Sequence, residues 1–282
     1  MISESRLSIA EACKTLAMPR STYYCTSKND KDQSDLVLKA AIESIVLEYA
    51  RYGYRRVTKE LHRKGQHVNS KRVRRIMKQS NLSYKGKKRY IITTDSDHGL
   101  PIFKNLVRDI VVTKLNQVWV ADITYVLLPG GHVYLAVIID LYSRKCIGWH
   151  LDKRIDSQLA LKALEMAIEN RRHLGLSGLI HHSDQGVQYA SYEYVDRLKA
   201  EGITPSMSRR GNPYDNAFAE SFMKTLKSEE VYVKEYRTME EAYANIKQYI
   251  EVVYNKKRLH SSIGYVPPDE FENEALNISL VR

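Results

Sequence analysis

The pattern of apolar and polar positions divides the chain near Leu115, and the part that follows predicts strands. Three strand-like runs come first, and a Gly-Gly turn between the first two favours an antiparallel meander: VWVADITYVLL, HVYLAVIIDLYS and KCIGWHLD. A segment with Leu161, Leu164 and Ile168 at helical spacing, the short strand LIHHSD and a helix ended by Gly202 follow. Strands followed by alternating strand and helix predict a mixed sheet covered by helices, in the α/β class.

The part before Leu115 has helical periodicity instead. Residues from Leu36 to Ala50 predict an amphipathic helix. Two shorter helices follow, separated by Gly65, and Asn69 or Ser70 is suited to cap the second one. The apolar positions of this pair are Val57, Leu61, Val68, Val73, Ile76 and Met77. The pattern predicts a helix-turn-helix, preceded by a small helical segment at the N-terminus.

Positive charge is concentrated on this helical pair. The chain has 44 Lys and Arg residues against 33 acidic residues, a net charge of +11. From Arg51 to Tyr90, fifteen Lys or Arg residues accompany a single acid, Glu60. Because a field of one sign favours a polyanion, we interpret the pair as DNA-binding. The residues expected to contact DNA are Lys71, Arg72, Arg75 and Lys78. The alternative is a solvated basic surface on a helical hairpin.

These changes in pattern and charge predict the domain organisation. The expected segments are a short N-terminal helical segment (1–34), a basic helix-turn-helix domain (35–84), a linker (85–112), an α/β core (113–274) and a C-terminal tail (275–282). The linker carries positive charge that can follow a phosphate backbone.

Composition also excludes several classes of protein. No run approaches the roughly 20 apolar residues needed to span a bilayer, and the N-terminus lacks a signal peptide's apolar run, so we expect a cytoplasmic protein. Cys13, Cys25 and Cys146 are scattered and odd in number, which argues against a disulfide framework and against a cysteine-rich zinc site.

Two aspartates in the strand region are candidates for a functional site. Asp122 lies in the middle of an apolar strand, where a carboxylate is costly unless a cation or hydrogen-bond donors accompany it. Alternation places it on the face of Val118, Val120 and Val126. Asp184 follows a short strand and precedes a glycine, which is also ordinary turn chemistry. The preceding His181 and His182 are interpreted as ordinary strand histidines and not as metal ligands.

Glu220 is the third candidate, on a helix expected to begin near Asn216. If Phe218, Phe222 and Leu226 form the buried stripe of that helix, Glu220, Lys224 and Lys227 share the opposite side. An acid with two lysines on one face is usually a solvated salt-bridging surface. The functional alternative is that Glu220 contributes to a metal site and the lysines hold DNA phosphate.

Several segments, in order along the chain, carry a resemblance to a known family: YGYRRVTKELHRKGQHVNSKRVRRIM, VWVADITYV, IHHSDQGVQYAS, SMSRRGNPYDNAFAESFMKTLKSE and YNKKRLHSSIGYVPPDEF. They resemble the second-reading-frame transposases of the insertion-sequence-3 family, which have a DDE integrase core. The resemblance covers residues 52–271, and 35 residues separate Asp184 from Glu220, as in that family. Lys227 also matches a family position. Ala121 is a departure, since similar proteins often have a hydroxyl residue there.

The resemblance implies an RNase H-like integrase core with a mixed five-stranded sheet and flanking helices. It also implies that Asp122, Asp184 and Glu220 form a catalytic triad with Mg²⁺ or Mn²⁺ as cofactor. Two such ions would activate the attacking oxygen and stabilise the leaving one. We expect Asp122 to bridge them, with Asp184 and Glu220 each completing one site. Such proteins cut one strand at an element end and use the freed 3′-hydroxyl to attack DNA.

The implied partner is DNA, both at the insertion-sequence ends and at the target, bound by a homo-oligomer in the bacterial nucleoid. An upstream-frame partner protein or fusion would supply end recognition. Two alternatives remain at this point: a catalytically silent DNA-binding regulator, and a metal-dependent nuclease of the same fold.

Overall fold

The computed structural model describes residues 8–23, 28–84, 99–209 and 212–280. The chain forms two compact units, 1–84 and 85–282. Most of the segment predicted to be a linker, residues 85–98, lies outside the described residues. Within the described ranges, no helix is long and apolar enough to cross a lipid bilayer.

The first unit is helical. Its helices are α1 (Ile9–Thr15), α2 (Arg20–Tyr23), α3 (Lys28–Glu48), α4 (Tyr54–Arg63) and α5 (Ser70–Gln79). The predicted pair is present as α4 and α5, and Asn69 caps α5 because its side chain accepts a hydrogen bond from the Lys71 N–H. Gly65 adopts a φ of 80° in the turn, a conformation that favours glycine.

The predicted apolar faces form the core of this unit. Val57 and Leu61 of α4 and Val73, Ile76 and Met77 of α5 are all buried, as expected from their spacing. Helix α3 adds Leu38, Ile42 and Ile45 to this core. It begins at Lys28, eight residues before the predicted start, because its polar first turns have no apolar periodicity that a sequence pattern could detect.

The second unit is built on a five-stranded sheet. Its strands are β1 (Val118–Leu128), β2 (Gly131–Asp140), β3 (Cys146–Asp152), β4 (Ile180–Ser183) and β5 (Thr204–Met207), in the order β3-β2-β1-β4-β5. The first three pair antiparallel, whereas β4 pairs parallel with β1 and with β5. This confirms the mixed five-stranded sheet. The sequence pattern placed four of these strands and gave no position for β5, which has only four residues and includes a proline.

Helices cover both faces of the sheet. They are α6 (Ser157–Arg171), α7 (Val187–Ala190), α8 (Tyr192–Ala200), α9 (Ala217–Leu226), α10 (Met239–Gln248) and α11 (Pro268–Leu280), with π-helical segments at Lys227–Val231 and Tyr249–Lys257. One face of β1, including Val118, packs with α9 and α10, and the other, including Trp119, packs with α6 and α8. Helix α6 approaches β3 so closely that a Cβ added at Gly148 would lie 2.2 Å from the Ala163 carbonyl oxygen.

The segment with Leu161, Leu164 and Ile168 at helical spacing is α6, as predicted. Leu161 is partly buried and packs against the buried stripe of this helix, which consists of Leu159, Ala160, Ala163, Leu164, Ala167 and Ile168. The predicted boundary at residue 274 falls inside α11, which continues to Leu280. Glu272 of this helix is buried and binds Arg171 of α6.

Candidate active site

The sheet register brings the first two carboxylates to the same level. Strand β4 pairs with β1 only from Val118 to Val120, where Val120 is opposite His182. Two residues beyond this last pair, β1 has reached Asp122, and the chain has just left β4 at Asp184. Because parallel neighbouring strands run in the same direction, Asp122 and Asp184 lie at the same level of the sheet, where β1 leaves its pairing with β4.

The electrostatic surroundings of Asp122 place all three candidate acids in one neighbourhood. Asp122 is partly buried, and its Oδ1 accepts a hydrogen bond of 2.9 Å from the Ile123 N–H. Burial is the largest of the causes that raise the pKa of Asp122 to about 8, the charges of Asp184 and Glu220 contribute to the rise, and the Ile123 hydrogen bond and Lys227 oppose it. The surroundings of Asp122 therefore disfavour its charged form.

The turn that contains Asp184 is shaped by its neighbours. The Gly186 N–H donates a 3.0 Å hydrogen bond to Asp184 Oδ1. A Cβ added at Gly186 would lie 3.0 Å from that same oxygen, so glycine permits the close approach. On either side of Asp184, the Ser183 carbonyl accepts from the Ser208 N–H (2.9 Å) and the Gln185 side chain donates to the Ser208 carbonyl (2.9 Å).

Glu220 is presented by α9, which begins after Asn216 as predicted. The buried stripe of this helix is Ala219, Phe222, Met223 and Leu226. The expectation that Phe218 belongs to that stripe is wrong, because Phe218 is 48% exposed and lies under the Arg144 guanidinium, 4.1 Å from its ring centre. Glu220 is exposed on the other side of the helix, where it acts electrostatically on Asp122.

The two lysines that follow Glu220 have different environments. Lys224 is exposed. Lys227 is partly buried at the start of a π-helical segment, with its ammonium group 4.5 Å from the centre of the Tyr125 ring. Burial lowers the pKa of Lys227 below its usual value, and the nearby Asp122 offsets only part of that shift. Lys227 is thus a positive charge fixed beside the carboxylates by an aromatic ring.

The chemistry of these donors fits a hard divalent cation. Carboxylate oxygens are the ligands of Mg²⁺, which usually takes one or two of them and completes its coordination with substrate phosphate and water. Among the described residues, no three His, Cys, Asp or Glu side chains lie close enough together to hold an ion by themselves.

The two strand histidines are parts of the interior. His181 and His182 are both buried, and burial lowers the pKa of each. His181 Nε2 lies 3.0 Å from the Tyr194 hydroxyl. Both imidazoles are therefore buried in the unit that contains the sheet.

The loop before α9 contains residues that the sequence pattern did not single out. Asn216 is buried, and its Nδ2 donates a 3.1 Å hydrogen bond to the Ala121 carbonyl, next to Asp122. Its Oδ1 has no hydrogen-bond partner among the described residues. One residue earlier, the Asp215 carboxylate accepts three hydrogen bonds of 3.0 Å from the backbone and side chain of Arg209. No local motif marks Asn216, because its partner is 95 residues away.

In the helical unit, the four basic residues expected to contact DNA fall into two groups. Lys71 and Lys78 are exposed on α5. Arg72 and Arg75 both bind the Asp35 carboxylate of α3, with Arg72 Nε and an Arg75 terminal nitrogen at 2.7 and 2.6 Å from its two oxygens. The two arginines therefore link α3 to α5 as well as carrying positive charge on the surface.

Comparisons with known proteins agree with this architecture. Two family models described as integrase core domains match residues 112–213 and 201–268, and a model described as an HTH-like domain matches residues 32–90. The transposase for insertion sequence element IS904 of Lactococcus lactis is 41% identical over 84% of this chain and 93% of its own length. The transposase InsF for insertion sequence IS3A of Escherichia coli is 36% identical over 97% of this chain and 96% of its own length.

The chain belongs to the insertion-sequence-3 family of transposases. The catalytic core domain of BIV integrase is a solved structure with a similar course of chain, with a TM-score of 0.42, 20% identity, and coverage of 58% of this chain and 99% of that one. The HTH-like and integrase core domains of the transposase indicate DNA as its partner.

Proposed function

We propose that this transposase cleaves DNA at the ends of its insertion sequence and joins the freed 3′ end to target DNA, with Asp122, Asp184 and Glu220 as the catalytic carboxylates. The observation that carries the proposal is their convergence. Asp122 lies beyond the end of the pairing between β1 and β4, at the level of Asp184, and the charges of both Asp184 and Glu220 act on it. Like charges gathered in a partly buried place are unfavourable unless a cation is to be held there.

The carboxylates of Asp122, Asp184 and Glu220 would hold Mg²⁺ or Mn²⁺, as two ions. When bound, these ions supply the activation of an attacking oxygen and the stabilisation of the leaving 3′-oxygen. Since no three donor side chains of the described residues are close enough to hold an ion alone, binding of the ions is expected to depend on DNA phosphate.

Other residues of the chain position the DNA. Lys227, which lies over the Tyr125 ring beside Asp122, would contact the phosphate next to the reacting bond. The exposed Lys224 would contact a phosphate further away. Lys71 and Lys78 on α5 contact phosphates of the terminal sequence. Arg72 and Arg75 share their charge between Asp35 and DNA, so their contribution is smaller than that of the lysines.

The first experiment replaces Asp184 by Asn and measures Mg²⁺-dependent cleavage of a labelled insertion-sequence end beside DNA binding. Cleavage is expected to disappear while binding persists, because the amide keeps the shape of the side chain but not its charge. Glu165→Gln is the matched control, since Glu165 is an exposed acid of the same unit that pairs with Arg197. Cleavage that persists in the Asp184 variant refutes the site, and a wild-type chain that binds DNA without cleaving it is a regulator.

A second experiment supplies DNA ends that are already cut and looks for joined products. Joining by the wild-type chain, alone or with the upstream-frame partner, supports the transposase reaction. Cleavage without joining in both conditions indicates a nuclease of the same fold. The same complexes, separated by size, report whether copies of the chain assemble on the DNA.

A further inference from the structure

The loop from Arg209 to Asn216 connects β5 to the helix that carries Glu220. Two of its residues, 210 and 211, lie outside the described residues. The end of the loop that adjoins α9 has hydrogen bonds to two different strands, β4 through His182 and β1 through Ala121. These are the strands that lead into Asp184 and Asp122.

The buried imidazole of His182 spans from β5 to this loop. Its Nε2 lies 3.1 Å from the Asp215 carbonyl, and its Nδ1 lies 2.9 Å from Ser206 Oγ. A carbonyl oxygen can only accept, so Nε2 carries the proton and donates it to Asp215. The Ser206 hydroxyl accepts from the Leu106 N–H at 2.9 Å and is left to donate to Nδ1. Each hydrogen bond that joins Leu106, Ser206, His182 and Asp215 thus has one donor and one acceptor.

Ser208 joins the same contacts to the turn that contains Asp184. Its Oγ lies 3.1 Å from His182 Nε2, its N–H donates to the Ser183 carbonyl, and its carbonyl accepts from Gln185. The residues before and after Asp184 are therefore tied to the residue that precedes the loop. A shift of the loop would be transmitted to this turn.

Asn216 is the second anchor. At Ala121 the strand β1 has passed the end of its pairing with β4, so the Ala121 carbonyl is available to accept from Asn216 Nδ2. This hydrogen bond joins the first turn of α9 to the residue before Asp122. Asn216 is 6% exposed, so the bond is shielded from water.

We infer that His182 and Asn216 are positioning residues that hold the end of the loop, residues 212–216, so that Glu220 faces Asp122 and Asp184. They act through the Asp215 carbonyl and the Ala121 carbonyl and do not bind metal or DNA themselves. The inference rests on the proposed function, because it assigns them to the geometry of the proposed carboxylate site.

The test compares two amides at position 182. His182→Gln reaches the place of Nε2 and keeps a donor for the Asp215 carbonyl, whereas His182→Asn reaches only the place of Nδ1 and loses it. Both remove the ring, so they share the loss of packing. Asn216→Ala tests the second anchor without altering the buried strand. The readouts are amide hydrogen exchange of residues 212–220 without metal or DNA, Mn²⁺ affinity with DNA present, and the rate of strand joining.

We expect His182→Asn and Asn216→Ala to speed exchange at residues 212–220 and to lower Mn²⁺ affinity and the joining rate by about tenfold or more, as loss of an outer support of a metal site does. His182→Gln is expected to stay within about threefold of the wild type, since it retains the loop contact. DNA affinity remains unchanged in all three.

Equal effects of Gln and Asn, or thermal destabilisation with normal exchange and normal Mn²⁺ affinity, would overturn the inference. If His182→Asn does not fold, Asn216→Ala decides by the same readouts. A wild-type chain that neither binds Mn²⁺ nor joins DNA defeats the proposed function. The exchange data, which require neither metal nor DNA, still judge whether the anchors hold the loop.

Discussion

Two groups of acidic side chains lie in the same α/β unit, and their surroundings differ. Asp140 is fully buried, and its oxygens accept from the backbone N–H groups of Asn116 (2.9 Å), Tyr142 (2.9 Å) and Ser143 (3.3 Å). Asp122 accepts one backbone hydrogen bond and is near two further carboxylates. Backbone N–H groups of the chain thus hold Asp140, and we propose that a metal ion completes the surroundings of Asp122.

Positive side chains also surround the group that contains Asp140. The Arg171 guanidinium binds Glu272 of α11, and both side chains are about 95% buried. The Lys145 ammonium lies 3.2 Å from Glu272 and 2.8 Å from Asp269. Of the charged groups that shift the pKa of Asp122, Lys227 is the one that carries a positive charge. The chain's own cations thus surround the Asp140 group, and we propose that a metal ion supplies the positive charge for the Asp122 group.

The largest expected effect comes from replacing Asp122 by Asn. Strand joining should fall by about 10⁴-fold, on the order of 5 kcal/mol of transition-state stabilisation. The midpoint of thermal unfolding in metal-free buffer should not fall, because burial already disfavours the charged form of Asp122 and the amide keeps the shape of the side chain. Activity assays and circular dichroism of the same preparations measure both.

Asp140→Asn is the matched replacement in the other group, and the opposite pattern is expected. Unfolding should occur at a lower temperature, because the neutral amide accepts its backbone donors more weakly, while joining per folded molecule is kept. The comparison fails if both variants lose stability, or if Asp122→Asn still joins DNA.

Breaking the buried ion pair should have the next largest effect. Arg171→Met leaves Glu272 with a buried charge and is expected to lower the free energy of unfolding by about 3–5 kcal/mol. Urea unfolding measures this. The control is Arg172→Met, which removes an exposed pair with Glu201 and should cost at most about 1 kcal/mol. Equal losses for the two variants would mean that the buried Arg171–Glu272 pair stabilises the fold no more than the exposed pair does.

The smallest effect concerns Gly186. Its φ of −66° suits any residue, but a Cβ would lie 3.0 Å from Asp184 Oδ1 and displace the carboxylate slightly. Gly186→Ala should reduce joining by about tenfold and change stability by less than about 1 kcal/mol. Gly99→Ala, where a Cβ meets nothing within 4 Å, is the control in activity and unfolding assays. Normal joining in Gly186→Ala would show that the site tolerates such a displacement.

The sequence pattern was informative where structure depends on local periodicity. It placed β1 to β4, the α4–α5 pair with its Asn69 cap, and the start of α9. It missed β5, whose pairing with β4 depends on a distant strand, and it put Phe218 on the wrong side of α9. Periodicity alone could not decide whether Phe218 packs in the core or lies at the surface.

The same limit applies to the candidate site. Asp122 could be singled out because an aspartate inside an apolar strand is unusual. The contacts of His182 with Asp215 and of Asn216 with Ala121 join residues 33 and 95 positions apart, and only the folded chain brings them together. The Asp35 carboxylate likewise meets Arg72 from 37 residues away, so the basic helix alone could not reveal that contact.

The most direct measurement is calorimetric titration of Mn²⁺ into the transposase bound to a cut insertion-sequence end. The wild type and the Glu165→Gln control are expected to bind the ion, and Asp122→Asn, Asp184→Asn and Glu220→Gln are each expected to bind it at least about tenfold more weakly. Undiminished Mn²⁺ binding by the three carboxylate variants would contradict the account, because the ion would then be held elsewhere.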